Sequence, residues 1–122
     1  MGSHPINLAL RFLLELFALL VVGAWGWRQT GSWLKFVLAL GIPLILAIVW
    51  GTFAVPNDPS RSGTAPVAVP GRLRLVIELA IFSLAVWALY DMGYTSFSWV
   101  LAIIVALHYI VSYDRIRWLL AQ

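Results

Sequence analysis

The sequence predicts an all-α membrane protein, a bundle of four transmembrane helices whose two termini are both cytoplasmic. Hydrophobic residues make up 62% of the chain and charged residues 11%, with a mean hydropathy of +0.93, whereas soluble domains are roughly 45–50% apolar. Four apolar segments each reach the length of about 20 residues that a membrane-spanning helix needs. Together they use most of the 122 residues, so we expect a single domain over residues 1–122.

Polar turns and prolines set the boundaries of the predicted spans. The turn at 28–31 separates the first two spans, and Met92-Gly93-Tyr94 separates the last two. A segment containing four prolines lies between these hairpins, which predicts an extended cytoplasmic loop over 56–70. Pro43 removes one helical hydrogen bond and predicts a kink. The predicted spans cover residues 7–27, 32–55, 71–91 and 95–118.

Basic residues set the predicted orientation. With the amino end inside, only Arg28 and Lys35 face outward, and the other basic residues lie on the cytoplasmic side, as the positive-inside rule requires. These inner residues are Arg11, Arg61, Arg72, Arg74, Arg115 and Arg117. The net charge of +3 is therefore explained by membrane orientation. The bilayer is the expected partner, and nucleic acid is not.

A short charged pattern occurs twice, at 10–16 as LRFLLEL and at 73–79 as LRLVIEL. The two copies share four of seven residues, among them one Arg and one Glu four positions apart. Because each copy opens a two-helix hairpin, both would enter the membrane in the same direction. The pattern predicts a parallel duplication of a two-helix hairpin, related by an axis along the membrane normal.

The two Arg-Glu pairs are the main candidates for a functional site. Glu15 lies eight residues into its span, about 12 Å along the axis, where an unpaired carboxylate would cost up to ~2.5–3.5 kcal/mol. Within one helix, an Arg-Glu pair stabilises less when Arg precedes Glu in the sequence than when Glu precedes Arg. We therefore expect a reciprocal clamp in which Arg11 pairs with Glu78 and Arg74 pairs with Glu15. Such a clamp either holds the helices together or exchanges a proton or cation.

Two further polar side chains extend this set of candidates. Asn7 lies one turn before Arg11 on the same helix face. His108, with Ser112 and Arg115 further along its face, could relay protons or could be a buried histidine bonded to a backbone carbonyl, Tyr109 or Tyr113. The chain has no cysteine and no suitable ligand spacing, so no metal site, cofactor or catalytic residue is predicted, and an enzyme is not expected.

The second span ends in the string Trp50-Gly51-Thr52-Phe53-Ala54-Val55-Pro56. Together with the Arg-Glu openings of the first and third helices and the turn at 90–93, this string resembles the YrdB-like family of small four-span bacterial membrane proteins. The resemblance implies a bacterial cytoplasmic (inner) membrane protein and transfers no catalytic residue. In physical terms, Gly51 and Thr52 would allow close helix approach, Trp50 would anchor the interface and Pro56 would stop the helix.

Two functions fit these observations. The chain is a structural, accessory or ligand-binding bundle held by buried Arg-Glu pairs, as a homodimer or within a larger membrane complex. Alternatively, it is a small proton- or cation-coupled transporter or channel that uses Glu15 and Glu78. The location of the two glutamates discriminates between them, because a hydrated pocket favours transport and glutamates sealed by arginine favour the accessory role.

Overall fold

The computed structural model describes residues 5–56 and 66–122, and nearly all of its regular structure is helical. The helices are α1 (Pro5–Trp27), α2 (Leu34–Thr52), α3 (Gly71–Asp91), α4 (Thr95–Val111) and α5 (Tyr113–Leu120), and the strands are β1 (Phe53–Ala54) and β2 (Val67–Ala68). Within these residues α1, α2 and α3 are each long and apolar enough to cross a membrane. The bent pair α4 and α5 would make a fourth span if it crosses as one unit.

Helices α1 and α3 form the centre of the fold, with α2 packed on α1 and α4 packed on α3. Small side chains line the contact between the central helices: Ala18 on α1 and Ala85 and Ala88 on α3 are almost completely buried. Because small residues let helix backbones approach closely, they are typical of helix contacts in membranes. The remaining core is built from larger apolar side chains, including Val22 and Phe82.

The contact between α1 and α2 depends on two glycines. A Cβ atom at Gly26 would lie 2.8 Å from the backbone of Leu38, and one at Gly23 would lie 3.0 Å from the carbonyl oxygen of Ala39. Pro43 lies four residues after Ala39 and cannot donate to that carbonyl. The proline thus leaves a backbone oxygen of α2 in contact with α1 at Gly23, while α2 itself continues past it.

The helix predicted over 95–118 is not continuous, because it is broken at Ser112. Helix α4 ends at Val111, and α5 leaves it at an angle of 70°. The turn lays α5 against the start of α3, where Leu119 is fully buried and a Cβ at Gly71 would lie only 1.6 Å from the Leu119 carbonyl oxygen. The missing side chain at Gly71 is therefore what lets α5 fold back onto the bundle.

The predicted loop over 56–70 is held at both ends by a short parallel β pair. Phe53 is aligned with Val67 and Ala54 with Ala68, and the Val69 N–H donates to the Ala54 carbonyl at 3.0 Å. Helix α2 consequently ends at Thr52, three residues before the predicted end of the second span. The middle of the loop, 57–65 with Arg61, lies outside the described residues.

Candidate functional site

Glu78, on the second turn of α3, is the centre of a buried charge cluster. Its side chain is 0% exposed, and the Oε2 atom lies 2.7 Å from Arg11 Nη2, 2.9 Å from Arg74 Nε and 2.6 Å from Arg115 Nη2. The hydroxyl of Tyr109 donates to Oε1 at 2.8 Å. Since these partners come from α1, α3, α4 and α5, one carboxylate connects four helices.

Helical spacing and the α5 turn explain how these side chains meet. Arg74 lies one turn before Glu78 on the same helix, which places the two side chains on one face. Arg11 reaches Glu78 across the close contact of α1 and α3. Arg115 lies in the first turn of α5, so the 70° bend after α4 is what returns its guanidinium to the bundle.

The reciprocal clamp expected from the sequence forms in one half only. Arg11 contacts Glu78 as predicted, and its Nε atom also lies 3.1 Å from Glu15 Oε1. The predicted contact of Arg74 with Glu15 is wrong, because Arg74 is bound to Glu78 on its own helix. The order Arg before Glu therefore does not prevent pairing along one helix when the pair is buried.

The two glutamates have unequal surroundings. Glu78 is completely buried, whereas the Glu15 side chain is 23% exposed and its ion pair in the described part of the chain is to Arg11. The two copies of the Arg-Glu pattern are thus not equivalent in the folded chain. The parallel duplication stays a prediction.

Arg74 also binds the carboxyl end of α2. Its Nη1 atom donates to the carbonyl of Trp50 and, at 2.8 Å, to the carbonyl of Phe53. The last carbonyls of a helix lack partners within the helix and carry its partial negative charge. A guanidinium is a suitable donor for them, so Arg74 joins the end of α2 to the cluster around Glu78.

The string from Trp50 to Pro56 has a role that differs from the predicted one. The Trp50 ring is only 8% exposed, packs edge-on against Phe82 at 5.4 Å, and lies 5.9 Å from the Arg74 guanidinium. Trp50 is therefore part of the bundle core, and its role as an anchor at the membrane interface stays a prediction. At Gly51 an added Cβ would meet no described atom within 4 Å outside its own helix, so Gly51 does not provide close helix approach. Thr52 ends α2, and Pro56 lies beyond β1.

Asn7 and His108 form a second buried polar group next to the cluster. Asn7 Nδ2 donates to Ser112 Oγ at 2.7 Å, which connects the start of α1 to the break between α4 and α5. His108 is 3% exposed, and its Nδ1 atom has no hydrogen-bond partner within the described residues; the same is true of Arg11 Nη1. The expected bond from His108 to a carbonyl or tyrosine is therefore not made at Nδ1.

Sequence reasoning predicted one of the four partners of Glu78, Arg11, and missed the other three, since it paired Arg74 with Glu15. Arg115 was expected at the inner membrane surface, and Tyr109 was considered only as a partner of His108. The spacing of His108, Ser112 and Arg115 along one face was a partial signal for Arg115. Nothing in the local sequence indicated that Tyr109 would bind Glu78.

The opposite end of the bundle has its own polar contacts. Trp25 Nε1 donates to Asp91 Oδ2 at 2.8 Å, and Arg28 Nη1 donates to the Met92 carbonyl at 3.3 Å. The Trp25 ring also packs on Trp87 at 5.5 Å. These contacts join the end of α1 to the end of α3. Polar contacts therefore connect the central helix pair at this end as well as at the end with Glu78.

The geometry defines a helical protein with membrane-length apolar helices around a sealed charge cluster, and the described residues contain no group of three or more His, Asp or Glu side chains placed to hold a metal ion. The family model "Protein of unknown function (DUF2568)" matches residues 9–106, and the chain belongs to this family.

The chain is similar to "Uncharacterized protein YrdB" of Bacillus subtilis (strain 168). The two are 50% identical over 119 residues, which cover 98% of this chain and 97% of that protein. The resemblance that the Trp50 to Pro56 string indicated is therefore confirmed. No solved structure matches the chain.

Proposed function

We propose that this protein is a structural or accessory component of the bacterial inner membrane, with both termini in the cytoplasm, and that the cluster around Glu78 holds its helices together. The observation that carries this proposal is the complete burial of Glu78 beneath three arginines and a tyrosine. A carboxylate that exchanges protons or cations during transport needs access to water. The three arginines and the tyrosine that contact Glu78 shield its carboxylate from water.

The energetics of buried ion pairs support a role in holding the bundle. Removing one partner of a buried pair typically costs about 3–5 kcal/mol, because the other charge stays buried without compensation. Removal of Glu78 would leave three guanidinium groups facing one another in an apolar interior. The buried charges are therefore compensated only when the four helices are correctly associated.

The exposure of Glu15 favours transport or ligand binding as a second candidate function. Its side chain is 23% exposed and is paired with Arg11, which is itself shared with Glu78. If the chain moves protons or cations, Glu15 is the exchanging group. A Glu15→Gln variant would then lose proton-linked flux in proteoliposomes while keeping its thermal stability.

The test of the accessory role compares two matched substitutions, Glu78→Gln and Glu15→Gln, in the detergent-solubilised full chain. Glu78→Gln is expected to lower the thermal midpoint strongly, whereas Glu15→Gln should change it little because Glu15 is partly exposed and singly paired. Equal, small effects of both substitutions would contradict the proposal. Loss of flux in Glu15→Gln with a normal midpoint would support transport instead.

A further inference from the structure

Helix α5 connects two points at the same end of the bundle. Just before α5, the Ser112 hydroxyl accepts a hydrogen bond of 2.7 Å from Asn7, the third residue of α1. Near the end of α5, Leu119 packs against Gly71, the first residue of α3. Because α1 and α3 both begin at this end, the two ends of α5 lie level with the starts of the two central helices.

The direction of α5 agrees with this placement. Helix α4 has 17 residues and a length of about 26 Å at ~1.5 Å per residue, which is at the lower end of the range for a membrane span. Helix α5 leaves α4 at an angle of 70°. The length of α4 is therefore enough for a crossing without α5, and α5 runs across the end of the bundle.

The side chains of α5 divide into a buried face and a mixed exposed surface. Arg115 and Leu119, one turn apart, are the buried residues of this helix. Tyr113 and Leu120 lie seven residues apart on another face and are 60% and 55% exposed. Arg117 is exposed as well. A short helix that exposes both apolar and charged side chains is suited to the boundary between lipid and water.

Charge indicates what lies against this exposed surface. Arg72 is exposed and follows Gly71, so it lies at the same level as α5, where Arg117 is also exposed. These two arginines outnumber the exposed Asp114 of the same helix. Arginine forms strong hydrogen bonds to phosphate oxygens, and its long side chain can reach the headgroup level while its stem stays in apolar surroundings. A phospholipid surface is complementary to this arrangement.

We propose that α5 lies along the inner surface of the membrane as an interfacial helix, with Tyr113 and Leu120 against the acyl chains and with Arg72 and Arg117 at the lipid phosphates. The inference rests on the proposed membrane location and orientation. It does not depend on the role of Glu78, so the thermal midpoint of Glu78→Gln leaves it unaffected.

The test measures the depth of nitroxide labels on single cysteines of the full chain, in vesicles of dioleoyl phosphatidylcholine and dioleoyl phosphatidylglycerol. The control pair is Ile103→Cys and Ile110→Cys, seven residues apart at exposed positions of α4, and we expect their depths to differ by about 10 Å. The pair Tyr113→Cys and Leu120→Cys, also seven residues apart, should differ by only about 4 Å, because α5 is bent by 70° from α4.

A second set of labels keeps the proposal falsifiable if Tyr113→Cys does not fold. Arg117→Cys and Leu120→Cys, three residues apart on α5, should differ in depth by about 1–2 Å, whereas Leu107→Cys and Ile110→Cys on α4 should differ by about 4–5 Å. Equal depth steps along the two helices would overturn the proposal, because α5 would then continue the span.

Collisions of the label at Leu120→Cys with oxygen, which concentrates in lipid, and with a water-soluble nickel chelate give a further check. We expect the label to be accessible to oxygen. A label that only the nickel chelate reaches would overturn the proposal, since α5 would lie away from the lipid, and a label that neither reagent reaches would overturn it because another protein surface would cover α5. Access of the nickel chelate to Ile103→Cys would overturn the membrane location itself, and this inference with it.

Discussion

Arg11 on α1 and Glu78 on α3 are joined by a 2.7 Å ion pair in which the arginine side chain is 6% exposed and the glutamate side chain 0% exposed. This pair crosses the central helix contact of the bundle. Arg74 on α3 itself, Tyr109 on α4 and Arg115 on α5 contact the same carboxylate. The cluster is therefore a single unit, and each member can be tested by its effect on the others.

The hydroxyl of Tyr109 stabilises the cluster through its bond to Glu78 Oε1. Tyr109→Phe removes a donor from a buried carboxylate, and hydrogen bonds to charged groups contribute about 1.5–3 kcal/mol. We expect a loss of free energy of unfolding in that range, measured by chemical denaturation in mixed micelles. Tyr113→Phe, at an exposed tyrosine, is the control and should change the free energy little.

Arg115 holds α5 against the bundle. Arg115→Ala should release α5 from α3, because the guanidinium at 2.6 Å from Glu78 joins this helix to the buried charge cluster. Hydrogen exchange of the 113–120 amides should become faster in this variant. Arg117→Ala, two residues further on at an exposed position, should leave the exchange rates near those of the unaltered chain. Equal exchange in both variants would contradict this role for Arg115.

Two glycines should respond in opposite ways to the same substitution. Gly71→Ala places a methyl group against the Leu119 backbone, and we expect a large loss of stability since backbone must move to accommodate it. At Gly51 an added methyl group would meet no described atom within 4 Å outside its own helix, so Gly51→Ala should stabilise α2 by up to about 1 kcal/mol through helix propensity. Thermal midpoints of the two variants check both expectations. A harmless Gly71→Ala would show that α5 does not pack as described.

These glycines also show where sequence reasoning ends. A charge placed deep in an apolar helix must find a partner. That requirement, together with the unfavourable order of Arg before Glu and the repeat of the pattern in a second helix, predicted that Arg11 would meet Glu78. A glycine has no charge that must be paired, so the local sequence does not show which glycine lies at a close helix contact. The sequence predicted that contact at Gly51, whereas the structure has it at Gly71. Close approach depends on how distant helices pack, which a local pattern does not determine.

Arg115 illustrates the same limit for the site. The residues around Ser112 include no proline or glycine, so hydrophobicity favours one continuous helix over 95–118. The bend after Val111 arises from tertiary contacts, namely Asn7 with Ser112 and Leu119 with Gly71. Since the bend is what carries Arg115 to Glu78, its place in the cluster could not be predicted. The buried position of Trp50 could not be predicted for the same reason, because it depends on the binding of Arg74 to the end of α2.

The proposed orientation, with both termini in the cytoplasm, can be tested with single cysteines, because the chain has none of its own. Gln29→Cys lies in the turn after α1, and Gln122→Cys lies at the other end of the chain. The cells are treated so that their outer barrier is permeable while the inner membrane stays intact. A membrane-impermeant maleimide added to these cells should label Gln29→Cys and not Gln122→Cys. Labelling of both residues, or of Gln122→Cys alone, would contradict the predicted orientation.

The central claim is that Arg11 and Glu78 stabilise the bundle through each other. A double-mutant cycle with Arg11→Met and Glu78→Gln tests it most directly, with the free energy of unfolding of the full chain in mixed micelles as the measurement. Arg11→Met leaves Glu78 with Arg74 and Arg115, and Glu78→Gln leaves Arg11 with Glu15. Each single variant therefore loses the contact between Arg11 and Glu78 but keeps one buried charge of that pair, whereas the double variant removes both charges. We predict a coupling free energy of at least about 1 kcal/mol, with the double variant more stable than the sum of the single effects implies. Additive effects, with no coupling, would contradict the account.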